Sequence, residues 1–307
     1  MTFAKVVNAI NIAVIGAGSV GLLISYYLLK MGHEVTIVTK TEKQKDILIR
    51  EGLFLEKDGK RSRVSPKKVL THKENYCDVQ LWIVTLKQIV LPDFLIRWKE
   101  VGGIPPVLFL QNGMGHEELA KQFLSTNVFC GIVTHGARRM DDNLVIHTGV
   151  GEMVVGKEQS HIVGKLLDSH PFFSIKQVDD IQYEMKRKLV VNLVVNPLTA
   201  IYRIKNGKLL TNSFFYQNAR KMFEEGITVL HLSQEEWNYV KEIVEKTRGN
   251  YSSMYQDMKK RRNTEIHSIT GYVLDLAKKE NRELPFITFV HQSIVGLERE
   301  YESEWCQ

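Results

Sequence analysis

The run Asn11-Ile12-Ala13-Val14-Ile15 is short, apolar and followed by glycine. A run of that length bounded by a turn residue predicts a buried parallel strand. Residues 19–31 then carry helical composition and close on Gly32. Val35–Val38, Leu81–Thr85 and Val107–Leu110 repeat the strand signature, with helical stretches such as 42–51 and 116–124 between them. Strands that alternate with helices predict βαβ units and a parallel sheet. Residues 130–134 and 143–156 read as further strands, the latter alternating around Val145, His147, Gly149, Val154 and Val155.

Beyond residue 179 the pattern changes. Residues 181–201, 212–231, 234–247, 251–280 and 286–301 have helical length and composition, and no strand signature stands out. Pro285 is suited to open the last helix. The expected fold is an α/β N-terminal Rossmann-type dinucleotide-binding domain (residues 1–179) followed by an all-α C-terminal domain (residues 180–307). No internal repeat or low-complexity linker interrupts either part.

Composition removes several classes. The 307 residues suit two domains at roughly 100–200 residues each. A hydrophobic content of 44% and a charged content of 25% exclude a fibre, a disordered chain and a disulfide-stapled mini-domain. Lys+Arg 41 against Asp+Glu 35 gives +6, spread along the chain, which permits anionic ligands without implying a nucleic-acid partner. Three cysteines, Cys77, Cys130 and Cys306, form no CxxC. Reduced thiols and a cytoplasmic location are therefore expected. Ile10–Leu29 is apolar enough to resemble a signal peptide or a membrane span. Asn11, Ser19 and three glycines interrupt it, so strand–turn–helix reads better and no membrane association is expected. The histidines show no HxxH or HExxH spacing, so no metal site is implied.

Gly16-Ala17-Gly18-Ser19-Val20-Gly21 is a GxGxxG between a strand and a helix. In that context the first glycine makes the turn, the second admits a pyrophosphate and the third lets helix and strand approach. The helix N-terminus adds unsatisfied N–H groups. A glycine turn that binds nothing is the bland alternative. The second strand ends at Val38 and runs into Thr39, Lys40 and Thr41, with no Asp or Glu to hold a ribose hydroxyl. Lys40, helped by Lys43 or Lys45, points to NADP(H) over NAD(H); a merely solvated Lys40 is the alternative.

Ligands of open α/β sheets bind beyond the carboxyl ends of the strands. Thr85-Leu86-Lys87, Gln111-Asn112-Gly113-Met114-Gly115 and Thr134-His135-Gly136-Ala137 end three strands. Lys87 and Asn112 are thereby candidates for cofactor or substrate contact, or simply loop caps. His135 reads more readily as a packed, hydrogen-bonded histidine than as an acid–base group. In the helical half, Lys188, Asn192 and Asn196 share one stripe of an otherwise apolar helix that should kink at Pro197. Two amides on such a stripe call for polar partners, whether a ligand or an internal network. Desolvation would lower the Lys188 pKa and nearby phosphates would raise it. Ser253, Asp257 and Thr264 fall on one face of a helix spanning 250–271, with Glu265 about 100° round.

These segments, taken in order, resemble the ketopantoate reductase (2-dehydropantoate 2-reductase) family. The motifs are the glycine loop, Val84-Thr85-Leu86-Lys87, Gln111–Gly115, Thr134–Arg139, Lys188–Asn192 with Asn196–Ala200, and Ser252–Asp257 with Thr264-Glu265-Ile266. The resemblance runs from residue 11 to 300. It implies NADPH-dependent reduction of 2-dehydropantoate to pantoate, on the route to pantothenate and coenzyme A. It implies Lys188 as proton donor and Asn192, Asn196 and Ser253 as substrate contacts. Asn206 and Asn250 match further substrate-side positions. Lys87, Asn112 and Ala137 match cofactor contacts, and Glu265 matches an acidic group close to both ligands. Lys40 stands where the family often has arginine. On this resemblance Lys188 would stabilise and protonate the oxyanion, Ser253 with an asparagine amide would hold the carboxylate, and Glu265 would orient Lys188 or the substrate hydroxyl. A homodimer rests on family analogy alone. The rivals are a reductase of another 2-keto acid on this scaffold and a non-catalytic NADP(H) sensor.

Overall fold

A computed structural model of the chain describes residues 9–157, 161–166 and 170–303. The extreme ends of the two expected domains, and Cys306, lie outside the described residues. Cys77 and Cys130 form no disulfide. The chain divides into two compact units, Met1–Gln111 with His116–Ile181, and Asn112–Gly115 with Gln182–Gln307.

The strands of the first unit, in chain order, are β1 (Asn11–Ile15), β2 (Glu34–Thr39), β3 (Leu53–Lys57), β4 (Lys60–Val64), β5 (Lys68–Thr71) and β6 (Leu81–Val84). They continue with β7 (Val107–Phe109), β8 (Val128–Val133), β9 (Gly136–Asp141), β10 (Leu144–Gly149), β11 (Glu152–Gly156) and β12 (Ser174–Val178). Eight of them form one sheet in the order β12-β11-β8-β7-β6-β1-β2-β5. All its pairings are parallel except β8 with β11. β1 lies inside the sheet, with Val14 opposite Ile37 on one side and Ile83 on the other. The chain builds β2 and β5 on one flank of β1 and then crosses to β6 on the other. That reversal is the topological switch point of a doubly wound fold, where dinucleotides bind.

A second sheet, β4-β3-β10-β9, accompanies the first. Helix α1 (Ser19–Lys30) packs against β1 and β2 and also against β3, β4, β9 and β10. A helix covered on both sides is apolar all round, and Gly21 through Tyr27 and Leu28 are all buried. That double burial is the origin of the membrane-like composition of Ile10–Leu29. Among the described residues no helix is long and apolar enough to cross a membrane.

The small sheet is where the sequence pattern falls short. β4 reads Lys-Arg-Ser-Arg-Val, mostly exposed and without an apolar face. The available signal is Asp58-Gly59, which joins β3 to β4 with φ of 50° and 73°. Two successive positive φ values are the tight hairpin geometry that Asp-Gly favours. Residues 143–156 are two strands rather than one, β10 and β11, which belong to different sheets. β5 and β12 also escape the sequence pattern.

Every regular element described in the second unit is a helix: α6 (Ile181–Tyr202), α7 (Lys208–Thr211), α8 (Ser213–Leu230), α9 (Glu236–Lys246), α10 (Ser253–Lys259), α11 (Tyr272–Lys279) and α12 (Pro285–Ser303). (Helices α2 to α5 of the first unit are Glu42–Glu51, Leu91–Trp98, His116–Phe123 and His161–Gly164.) Helix α6 continues through Pro197. Thr199 Oγ1 donates to the carbonyls of Val195 and Asn196 at 2.6 and 3.2 Å and steadies the turn around it. The expected continuous helix over 250–271 is corrected. It stops at Lys259, Arg261 takes φ of 52°, and the N–H groups of Lys260 and Arg262 both close on the Asp257 carbonyl. Four consecutive cations, Lys259 to Arg262, stand exposed at the turn where the helix would have continued. Ser253 and Asp257 keep a common face on α10, and Thr264 lies beyond its end. A π-helical turn over His267–Gly271 leads into α11.

His135 is packed and hydrogen-bonded. Its Nδ1 accepts from the Gly151 N–H at 3.0 Å and lies 3.1 Å from His147 Nε2, and its ring stacks on Phe173. The Gly151 N–H makes His135 Nδ1 an acceptor, so His147 Nε2 donates to it. His147 Nδ1 then accepts from the Tyr27 hydroxyl at 2.7 Å. Burial, with His147 alongside, lowers the His135 pKa to about 4. The unfolded chain takes up this proton near the ordinary histidine pKa of about 6.5, so folding excludes it. Urea stability should hold above pH ~6.5 and fall by about 1–3 kcal/mol as pH drops toward ~4. His135→Phe should flatten that fall. Equal slopes for the two chains, measured by circular dichroism, would contradict the assignment.

Candidate active site

The first unit presents the glycine turn at the carboxyl end of β1. Gly16 has φ of 106°. A Cβ on Gly21 would lie 1.8 Å from the Gly16 carbonyl oxygen, so helix and turn touch backbone to backbone there. A Cβ on Gly18 would meet nothing within 4 Å, and α1 starts with no side-chain cap on its first N–H groups. Space above the middle glycine and uncapped helical N–H donors are what a pyrophosphate requires. Ala17, Ser19 and Val20 complete the turn. Thr85 Oγ1, just past β6, donates to the Gly16 carbonyl at 2.8 Å and locks the turn to the neighbouring strand.

Lys40 follows β2 and is exposed. Of its two expected helpers, Lys43 lies 3.4 Å from the Asp142 carboxylate and stays largely exposed. The other, Lys45, has its ammonium 2.8 Å from Glu74. The Lys45 contact and the Thr71 N–H hold the Glu74 carboxyl down to about 2. Lys87 is exposed after β6, and Ala137 is half-buried on β9 against the apolar core. One residue that the sequence pattern does not single out is Gln44. Its Nε2 donates to the Ala17 carbonyl at 2.9 Å and to the Asp142 carbonyl at 2.8 Å. A Thr41-x-x-Gln44 spacing at a helix start is the available signal; Thr41 accepts the Gln44 N–H at 3.2 Å.

In the second unit three of the expected site residues meet. Lys188 Nζ donates to Asn112 Oδ1 at 2.8 Å, and Asn112 Nδ2 donates to Glu265 Oε2 at 2.9 Å. Asn112 is held there by its neighbour. Gly113, at φ of 83°, approaches the backbone of Ser268 so closely that a Cβ would lie 2.3 Å from its carbonyl oxygen. Glu265 stands just before the helical turn that carries Ser268, whose N–H and hydroxyl both bond the Glu265 carbonyl. Burial on the apolar face of α6 lowers the Lys188 pKa from 10.5 to about 8, against the opposing pull of Glu265.

Asn196 is buried and Asn192 half-buried on the same helix. The Asn196 carbonyl accepts from Thr199, which also bonds Ser252 at 2.8 Å. Ser252 caps α10 and places the exposed Ser253 next to it. The Asn206 N–H donates to the Asn250 carbonyl at 3.0 Å, which joins that pair. Asn206 Nδ2 donates to Thr247, and its buried Oδ1 has no donor among the described residues.

A mostly parallel sheet with a glycine-rich turn at its switch point, followed by a helical unit, defines the class: a Rossmann-like dinucleotide-binding scaffold. Two family models identify it further, "Ketopantoate reductase PanE/ApbA" over residues 12–160 and "Ketopantoate reductase PanE/ApbA C terminal" over residues 180–298. The 2-dehydropantoate 2-reductase of Bacillus subtilis strain 168 is 35% identical over 94% of this chain and 98% of its own length. A crystal structure described as a probable 2-dehydropantoate 2-reductase of Bacillus subtilis superposes with a TM-score of 0.84 at 34% identity, covering 94% of this chain and 99% of that one. A D-mandelate dehydrogenase solved with NADH and anilino(oxo)acetate has the same fold, with a TM-score of 0.87 at 24% identity over 95% of this chain and 99% of that one. The chain belongs to the ketopantoate reductase family, and the enzyme is an oxidoreductase acting on CH–OH groups.

Gly113→Ala should cost about 1–3 kcal/mol of stability, because backbone oxygen is the obstacle and the added Cβ also strains φ. An unchanged denaturant midpoint would show that Asn112 is not held by this contact.

Proposed function

We propose that the protein reduces 2-dehydropantoate to pantoate with NADPH, in the cytoplasm, as a step toward pantothenate and coenzyme A. The observation that carries this reading is the lysine–asparagine–glutamate chain on the helical unit of a ketopantoate reductase family member. Residues 1–179 would bind the cofactor and residues 180–307 the substrate, with dimerisation of the latter resting on family analogy.

The glycine turn fits a dinucleotide by its open middle glycine and its uncapped helix start. Gly16 to Gly21 would cradle the pyrophosphate, Lys40 would face a 2′-phosphate, and Lys87, Asn112, Ala137 and Glu265 would complete the cofactor contacts. Bound NADPH supplies a hydride for the substrate's C2 carbonyl carbon.

Lys188 would stand at the carbonyl oxygen, stabilise the negative charge developing there and deliver a proton from Nζ. A pKa near 8 suits a proton donor, since the ammonium is populated at neutral pH yet acidic enough to give up its proton. Glu265 would keep Lys188 protonated through Asn112. Ser253, Asn192 and Asn196 would hold the carboxylate, with Asn250 beside them. Asn206 Oδ1, a buried acceptor still wanting a donor, suits a substrate hydroxyl.

Steady-state oxidation of NADPH should be fast with 2-dehydropantoate and slower with other 2-keto acids or with NADH. Turnover confined to another keto acid would discard the substrate and keep the chemistry. NADPH binding without turnover would favour a sensor. Lys188→Ala should lower kcat by at least about 100-fold and leave NADPH affinity within about threefold. In the wild type, kcat should fall as pH rises through about 8, where Lys188 loses its proton. A near-normal kcat in the variant would exclude the proton-donor role.

A further inference from the structure

Arg139 lies on β9 and is exposed. Its Nη1 donates to the Ala17 carbonyl at 3.3 Å, the same oxygen that accepts from Gln44 Nε2 at 2.9 Å. Ala17 sits between the first two glycines of the turn. Gln44 belongs to the first turn of α2, shortly after Lys40 and Thr41. The guanidinium is therefore brought to the corner where the glycine turn meets the carboxyl end of β2.

That placement is built rather than incidental. The turn from β9 to β10 is tied to the same corner twice: the Asp142 carbonyl accepts from Gln44 Nε2 at 2.8 Å, and the Asp142 carboxylate lies 3.4 Å from Lys43 Nζ. Gln44 itself is buried. Asp142 is already engaged by Lys43. Neither Arg139 nor Lys40 has a carboxylate partner among the described residues. A guanidinium that spends one N–H on a carbonyl keeps further donors available, held in a planar fork suited to a phosphate monoester. Lys40 offers only a point charge at that place.

We infer that Arg139 is a second ligand of the cofactor's 2′-phosphate and a determinant of preference for NADPH over NADH. This rests on the dinucleotide reading given above. It explains how the chain can use lysine at position 40: the bidentate group comes from β9.

Titration calorimetry of wild type, Arg139→Gln and Arg139→Lys with NADPH, NADH and adenosine 2′,5′-bisphosphate tests it. Arg139→Gln should bind NADPH and the bisphosphate about tenfold more weakly, with NADH affinity within about twofold. Arg139→Lys, which keeps the charge and loses the fork, should fall between. Equal losses for NADPH and NADH would make Arg139 only a support of the glycine turn and overturn the inference, as would unchanged NADPH affinity in both variants. A wild type that bound NADH more tightly than NADPH would overturn it and leave nicotinamide binding intact. A wild type that bound neither would refute the dinucleotide reading itself, and this inference with it.

Discussion

The contact that organises the polar cluster of the helical unit is the hydrogen bond from Lys188 to Asn112. Lys188 is on a helix whose neighbouring residues Leu189, Val190, Leu193 and Val194 are almost wholly buried. An ammonium on such a face needs an acceptor, because burying an unpaired charge is among the costliest changes a fold can carry. Asn112 provides that acceptor and turns its amide hydrogens to Glu265. The amide is polar but neutral, so it links the two charges without fusing them into a tight ion pair. Burial then outweighs the carboxylate, and the lysine settles below its ordinary range. A direct lysine–carboxylate pair would have pushed the balance the other way.

Backbone contacts make this geometry reproducible. Asn112 leaves the end of a sheet strand yet groups with the helical unit, because Gly113 lets the loop press onto the Ser268 carbonyl. In the first unit Gly21 plays the corresponding part against Gly16. Around that turn, Thr85 and Gln44 each donate to a carbonyl of the loop. Polar side chains thus fix the shape of a segment too glycine-rich to fix itself. The unused capacity of the same segment, the N–H groups at the start of α1, is what remains for a ligand.

The inner strands of the large sheet, unlike its edges β5 and β12, are legible in the sequence because buried parallel strands are continuous apolar runs, as in Asn11–Ile15 and Leu81–Val84. The small sheet is not. Its β4 is a charged edge whose only cue is Asp58-Gly59, and β10 and β11 are so close in sequence that one alternating run hides two sheets. The glycine turn can be read from spacing and context together. Lys188 and Asn112 stand out as polar residues in apolar or strand-end positions, but nothing local joins residues 76 positions apart. Glu265 is least accessible, because the helix expected to carry it ends at Lys259. For these residues the resemblance to a family carries what periodicity does not.

Burial lowers the Lys188 pKa toward neutrality against the pull of Glu265, and the proposed proton donation rests on that shift. A nuclear magnetic resonance titration of ¹³C-labelled lysine side chains in the full chain, with Lys188→Arg to assign the signal, measures it directly. One lysine should titrate at about 8 and vanish in the variant. A Lys188 signal that titrates at the ordinary 10.5 would contradict the tuning and, with it, the role drawn from it.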